Sequence, residues 1–507
     1  MSPVHINYSD LGGGAARAAY RLHRGLLGLG QCSRMIVKTK LSSDEEVISV
    51  GQPLTYENKG NVLFSDAIQN FIDTHRTSIS NTFFSFSYPG MDVSQLPEVA
   101  AADVINLHWV AYRYQSPATL KKLFALNKPV VWTLHDQWAF TGGCHYSAGC
   151  QNYKSACDNC PQLSDPLFEL PSKILQDKID LFRGADLTIV TPSLWLKQCA
   201  QESKLFGKLR VEAIPNSLDT EVFIPINKKE AKQKIGLADN TIALLFGADN
   251  GGEKRKGYRE LLQALEYCTA DPAFNALLAR KQVTMLIFGN PAEELTKTGI
   301  PIRSMGYVDS DQQLAEIYSA ADVFLLPSLE DNLPNTMLES MSCGTPVVAF
   351  EVGGMKDVIK NNITGKLAPE GNAREFGKAI LDLLSDPTLL RQMSDNCRPL
   401  VEIKFRLSTQ AAAYLSLYRE LSRKSVNMHV QDDLGSEKQL SSNYALEEDV
   451  STGKYYKSIE YKIIMKLWLT KQRSALKEYY LKKKRISLRS YLRDFKNKCL
   501  AFKNRHE

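Results

Sequence analysis

At 507 residues the chain is too long for a single hydrophobic core, so two domains plus further segments are expected. A hydrophobic share of 44% with 23% charged residues argues against a disordered or fibrous chain, and no run approaches the roughly 18 apolar residues of a spanning helix. The net charge of +6 is uneven: residues 453–507 hold 17 Lys or Arg against 4 Asp or Glu, a net of +13, which leaves −7 on the other 452 residues. The opening Met-Ser-Pro-Val-His-Ile-Asn-Tyr has no charged region ahead of an apolar core. No signal peptide is therefore expected, and the protein is expected in the cytoplasm with its cysteines reduced.

In chain order, Val4 to Tyr8 reads as a strand, followed by a glycine-rich turn (Leu11-Gly12-Gly13-Gly14) and a helix from Ala15 to Leu27. Such a turn lets backbone approach a phosphate or a sugar closely. Arg17, one turn into the helix, is placed to touch an anion or to stay solvated. Residues 51–98 show no clear period, and their phenylalanines (Phe64, Phe71, Phe83, Phe84, Phe86) are candidates to shape an acceptor pocket. Val104 to His108 and Val130 to Leu134 are strands ending in His108-Trp109 and His135-Asp136. Two histidines at strand ends point to a site more strongly than one does, so His135 and His108 are both candidates.

Residues 141–163 form a compact insert with Cys144, Cys150, Cys157 and Cys160. In a reducing compartment, clustered cysteines suggest metal before disulfide. The pair Cys157-Asp158-Asn159-Cys160 is a half-site that Cys144 and Cys150 complete as a tetrahedral structural zinc. Four buried thiols without metal are the alternative.

Leu187 to Val190 and Val211 to Ile214 are further strands, the first leading to Ser193 as a helix cap and the second into Pro215-Asn216-Ser217-Leu218-Asp219. Beyond this hinge, Ile242 to Phe246 is a strand followed by a loop ending in Lys254-Arg255-Lys256-Gly257, then a helix through Leu265. The fork of Arg255 suits phosphate oxygens. Val283 to Gly289 and Val323 to Leu326 are strands, and Asn335 to Met341 is a helix stopped by Gly344 before the strand Val347 to Phe350. Strand, loop, helix and strand in this order imply a parallel sheet that binds ligands beyond its carboxyl edge. The loop carries Glu330 and Asp331, and the free amides of the helix suit a diphosphate. Asn335 and Glu339, four apart, share one helix face. Amides for phosphate and carboxylates for hydroxyls are what a nucleotide-sugar site needs.

The run from Asp331 through Glu339 to Ser-Met-Ser-Cys-Gly-Thr-Pro resembles the donor-site signature of retaining glycosyltransferase family four. That resemblance implies an α/β chain of GT-B fold, two Rossmann-like doubly wound domains facing across a cleft. Asp331 and Glu339 have the family spacing, and Glu330 stands one residue too far, although it can rotate in. By the resemblance Gly13 and Gly14 face the cleft, and His135 sits beside the transferring sugar. Lys256 clamps the diphosphate. The family's usual Arg falls at Ala248, and Arg255 is expected to replace it. The loop after Gly289 borders the base, Tyr307 in Met-Gly-Tyr-Val meets the nucleobase, and Leu333 and Asn335 line the donor site. Glu339 holds the ribose, while Asp331 or Glu330 holds the donor sugar. Exopolysaccharide-type members carry a similar Gly-Gly-Cys-His-Tyr run.

The expected organisation is an acceptor domain at 1–216, a nucleotide-sugar donor domain at 217–404, a helix at 405–423 crossing back to the first domain, a linker at 424–453 and a basic amphipathic tail at 454–507. In the tail, Ile459, Ile463, Leu467, Leu476, Tyr480 and Leu481 fall near helical spacing among Lys and Arg. This reads as a binder of an anionic membrane surface, with a solvated or partner-bound helix as the alternative and nucleic acid not expected. The resemblance implies retaining hexosyl transfer from a nucleoside diphosphate sugar to a lipid-linked glycan of a bacterial surface polysaccharide. Fixed cations would supply the charge, without a catalytic cofactor. A non-catalytic scaffold and an epimerase-type or phosphorylase-type enzyme are the rivals.

Overall fold

Short runs of β-branched and apolar residues build two parallel sheets. The first contains β1 (Pro3–Ser9), β2 (Arg34–Thr39), β3 (Val47–Ser49), β4 (Val104–Leu107), β5 (Val130–Thr133), β6 (Leu187–Thr191) and β7 (Arg210–Ala213), in the order β3-β2-β1-β4-β5-β6-β7. The second contains β8 (Ile242–Ala248), β9 (Val283–Gly289), β10 (Ile302–Gly306), β11 (Val323–Leu326), β12 (Val347–Phe350) and β13 (Gly365–Ala368), in the order β10-β9-β8-β11-β12-β13. A computed structural model describes residues 1–50, 59–164, 169–248, 252–289 and 293–433 of the chain.

Strands β4, β5, β11 and β12 are buried at every position, because helices cover both faces of a parallel sheet. Each sheet reverses its strand order once, between β1 and β4 and between β8 and β11. Crevices open at the carboxyl ends of strands at such switch points. Both sheets belong to one compact unit, Met1–Val62 with Ile72–Lys438. Of the second unit, Leu63–Phe71 with Gln439–Glu507, only 63–71 is described, within the helix Lys59–Thr74.

The sequence reading contains neither β2 nor β3, the outer two strands at one side of the first sheet, nor the helix Pro387–Lys404. The helix Leu407–Asp433 packs on the first domain: Tyr414 and Tyr418 join Leu22, Leu26, Val104, Val131 and Val190 in one buried cluster. The Asn106 amide donates to Tyr418 Oη at 2.6 Å. This helix runs ten residues beyond the expected end at 423, which corrects the linker boundary at 424. Polar composition suggested a linker, but the segment contains no Gly or Pro to stop a helix. The remaining linker, 434–453, and the tail, 454–507, lie outside the described residues. No described helix is long and apolar enough to cross a membrane.

Candidate functional site

Loops at the carboxyl ends of β1, β4, β5, β8, β9 and β11 surround a cleft of about 400 Å³. Among its lining residues are Gly13, Gly14, His135, Arg255, Lys256, Gly289, Tyr307, Asp331, Leu333, Asn335 and Glu339. These come from six separate stretches of sequence, so tertiary folding alone brings them together.

On the second-domain side, Gly257 turns the chain with φ +67°, and a Cβ there would stand 1.7 Å from the Pro327 carbonyl oxygen. Only glycine permits this approach of the basic loop to the loop after β11. Lys256 Nζ donates to Asp331 Oδ2 at 2.7 Å, and Arg255 Nη1 lies 3.3 Å from the same oxygen. Burial alone would raise the pKa of Asp331, but these two cations hold it down at about 2. The guanidinium of Arg255 also bonds Glu253 and lies 4.2 Å from the centre of the Tyr146 ring. The helix Asn335–Ser342 starts at Pro334 with no side-chain cap, and Asn335 and Thr336 line the cleft. Open amides at a helix start favour an anion. Asn335 Nδ2 donates to the Gly14 carbonyl at 2.9 Å, across the cleft.

Glu339 is 4% exposed. Arg21 Nη2 donates to its Oε1 at 2.8 Å and Tyr318 Oη to its Oε2 at 3.1 Å. Neither partner was found in the sequence. Arg21 lies four residues after Arg17 on the same helix, and that spacing was the available signal. Arg17 itself lines the cleft and pairs with Asp311. Phe288, beside Gly289, and the exposed Tyr307 add aromatic surface.

The first-domain side is largely aromatic, with one carboxylate. Trp109, His135, Asp136 and Tyr146 line it. Burial lowers the pKa of His135 to about 4, so the ring is uncharged at neutral pH. Asp136 accepts from Trp109 Nε1 at 2.8 Å and from the Trp138 amide at 2.9 Å, and lies 2.6 Å from His145 Nδ1. His108, the second histidine candidate, is 2% exposed and lies behind His135 rather than on the cleft.

Glu330 has partners other than a sugar. The Ala148 amide donates to its Oε2 at 3.0 Å and Ser147 Oγ to its Oε1 at 3.4 Å. Its carboxylate is thus held by the cysteine-rich insert and is not among the cleft-lining residues, which corrects its expected rotation toward the donor. Tyr146 Oη donates to Asp331 Oδ1 at 3.3 Å, so three consecutive insert residues hold both acids.

The insert's four cysteines share one cavity of about 20 Å³, with Cys144 and Cys157 buried. Backbone amides of Gly142 and Asn152 donate to Cys157 Sγ at 3.3 Å and Cys150 Sγ at 3.4 Å. Among the described residues, however, no group of three or more Cys, His, Asp or Glu is gathered tightly enough to hold a metal ion. The expected tetrahedral site is therefore not preformed: backbone turns bring the thiols to one cavity without drawing them to one point.

Two parallel-sheet domains, with a cleft that sets fixed cations beside an open helix start, define a protein of GT-B architecture. Residues 244–386 match the family described as glycosyl transferases group 1. Over 377 residues the chain is 22% identical to a protein of Escherichia coli (strain K12) named as the colanic acid biosynthesis glycosyl transferase WcaC, covering 71% of this chain and 86% of that one. It is 29% identical over 229 residues to the D-inositol 3-phosphate glycosyltransferase of Nocardiopsis dassonvillei, covering 43% of this chain and about half, 52%, of that relative. Anabaena Alr3699/HepE, solved with UDP-glucose, superposes with a TM-score of 0.55 at 16% identity, over 82% of this chain and 99% of that one. The chain has the GT-B fold, and its residues 244–386 form a domain similar to the glycosyl transferases of group 1.

Proposed function

We propose that this glycosyltransferase moves a hexosyl group, with retention, from a nucleoside diphosphate sugar to a lipid-linked glycan in bacterial surface polysaccharide synthesis. One observation carries the reading: Lys256, Arg255, the open first turn at Asn335 and the buried Glu339 converge on one cleft. As the bond from the anomeric carbon to the diphosphate breaks, negative charge grows on the leaving oxygens. The two cations and the helix amides stabilise it electrostatically. Arg21 and Tyr318 occupy two of the roughly four acceptor positions of Glu339, leaving the others for a ribose diol. Asp331, released from Lys256 by the incoming diphosphate, is free to accept from donor-sugar hydroxyls. The names of WcaC and of the HepE complex support a polysaccharide product and a UDP-sugar donor.

A structural zinc belongs to the same proposal. The four thiols surround space for about one water-sized particle, and amides already point at two of them, but the sulfurs must draw together around the ion. The net of +13 on residues 453–507 supports a cytoplasmic protein held at an anionic membrane face. Incubating the full chain with a panel of nucleotide sugars and a lipid-linked acceptor tests the transfer. One sugar should be turned over, and failure to bind or turn over any of them would reject the reading.

A further inference from the structure

Behind the cleft, β1, β4 and β5 place His5, His108 and His135 in a row. His108 Nδ1 lies 3.2 Å from His135 Nε2, and His108 Nε2 lies 2.9 Å from His5 Nδ1. The His108 and His135 rings stack with centroids 5.4 Å apart. His5 is fully buried and His108 nearly so. Burial also keeps both inner rings neutral, holding their pKa well below the ordinary value.

A neutral imidazole carries one proton on one of two nitrogens. Three neutral rings therefore bring three protons, and the two ring-to-ring hydrogen bonds take one each. If His135 donates from Nε2, His108 must donate from its own Nε2, and the third proton is left on His5 Nε2. If the row runs the other way, the third proton is left on His135 Nδ1. No mixed arrangement keeps both bonds.

Two features decide the direction. His5 Nε2 is buried without a hydrogen-bond partner, and an orphaned N–H inside a protein is rarer than an orphaned acceptor. At the other end, the Asp136 carboxylate adjoins His135 and draws the positive end of the row toward the cleft. From this geometry we infer that His5 and His108 are positioning residues that fix His135 as the Nδ1–H tautomer, so that its remaining nitrogen offers a hydrogen-bond donor to a hydroxyl or phosphate oxygen of the bound ligand. The role of that donor rests on the proposed nucleotide-sugar reading, whereas the tautomer does not.

Long-range nitrogen–proton correlation spectra of the full chain, labelled with ¹⁵N at histidine, report which nitrogen of each ring is protonated, and His135→Gln assigns the signal. His135 is expected as the Nδ1–H form at neutral pH in the native protein. In His108→Phe the signal should shift toward Nε2–H, with kcat lowered about tenfold and donor KM within about twofold. An Nε2–H form in the native protein overturns the inference, as does an unchanged tautomer in folded His108→Phe. Should His108→Phe fail to fold, the native spectrum decides alone. The Nδ1–H form in a protein that turns over no nucleotide sugar supports the row and rejects the transfer reading.

Discussion

The two walls of the cleft hold charge differently. The second-domain wall keeps permanent charge at the surface: Lys256 and Arg255 share Asp331, whose pKa they hold at about 2. Besides Arg17 and Asp136, each paired with its own partner, the first-domain wall keeps aromatic rings in front and imidazoles behind that burial prevents from charging. The difference teaches how such a cleft divides its work. Charge that must answer a developing diphosphate anion has to be present beforehand, whereas a wall facing sugar hydroxyls needs directional donors and acceptors.

The strongest way to break this comparison is to remove charge from the second wall. Lys256→Ala and Glu339→Ala should each weaken the transition state by about 2–4 kcal/mol, the scale of losing a charged partner. In steady-state assays this reads as roughly 30-fold to 1,000-fold in kcat/KM, and wild-type turnover in either variant would remove these residues from the site.

Acid should separate the walls. His23, fully buried behind the first wall, has its pKa lowered by burial to about 4 from 6.5, as does His135. Below about pH 6.5 the unfolded chain takes up protons that the folded chain refuses. Their stabilisation is thus complete above pH 6.5 and is lost as pH falls toward 4, by about 3 kcal/mol for His23. Asp331 behaves as a depressed carboxylate, contributing above about pH 3.8 and losing that contribution only toward pH 2. Denaturant midpoints measured from pH 7 to pH 3 should therefore fall first through the histidine window. A flat profile down to pH 4 would contradict neutral buried imidazoles.

The insert links the walls, because Tyr146, Ser147 and Ala148 reach from between Cys144 and Cys150 to Asp331 and Glu330. Elemental analysis should find about one zinc per chain, lost in Cys157→Ser with Cys160→Ser. That double variant should bind nucleotide about tenfold more weakly, about 1.4 kcal/mol, as the strap loosens. Stable metal-free native protein would favour plain buried thiols.

Outside the cleft the expected effect is smallest. Changing Lys482, Lys483, Lys484 and Arg485 to Gln in the full chain should cost about 1 kcal/mol of binding per charge on anionic liposomes. Release of nucleotide from a soluble donor should be unchanged. Flotation that survives these changes and high salt would reject electrostatic anchoring.

Much of the second wall was legible in the sequence. The spacing from Asp331 to Glu339 and the Lys256-Gly257 pair lie within short contiguous stretches, where helix periodicity and loop chemistry place neighbours directly. The apolar runs of β4, β5, β11 and β12, and the alternation of strand and helix around β11 and β12, announced a parallel sheet. Tertiary structure alone decided who their partners are. Arg21 meets Glu339 across 318 positions, Ala148 takes Glu330 from the donor site, and His5 stands behind His108 across 103. Such pairings depend on strand order and on how two domains face each other, and local periodicity carries no information about either. The direction of the histidine row is further removed still, since it follows from counting protons among groups that only the folded chain brings within hydrogen-bond reach.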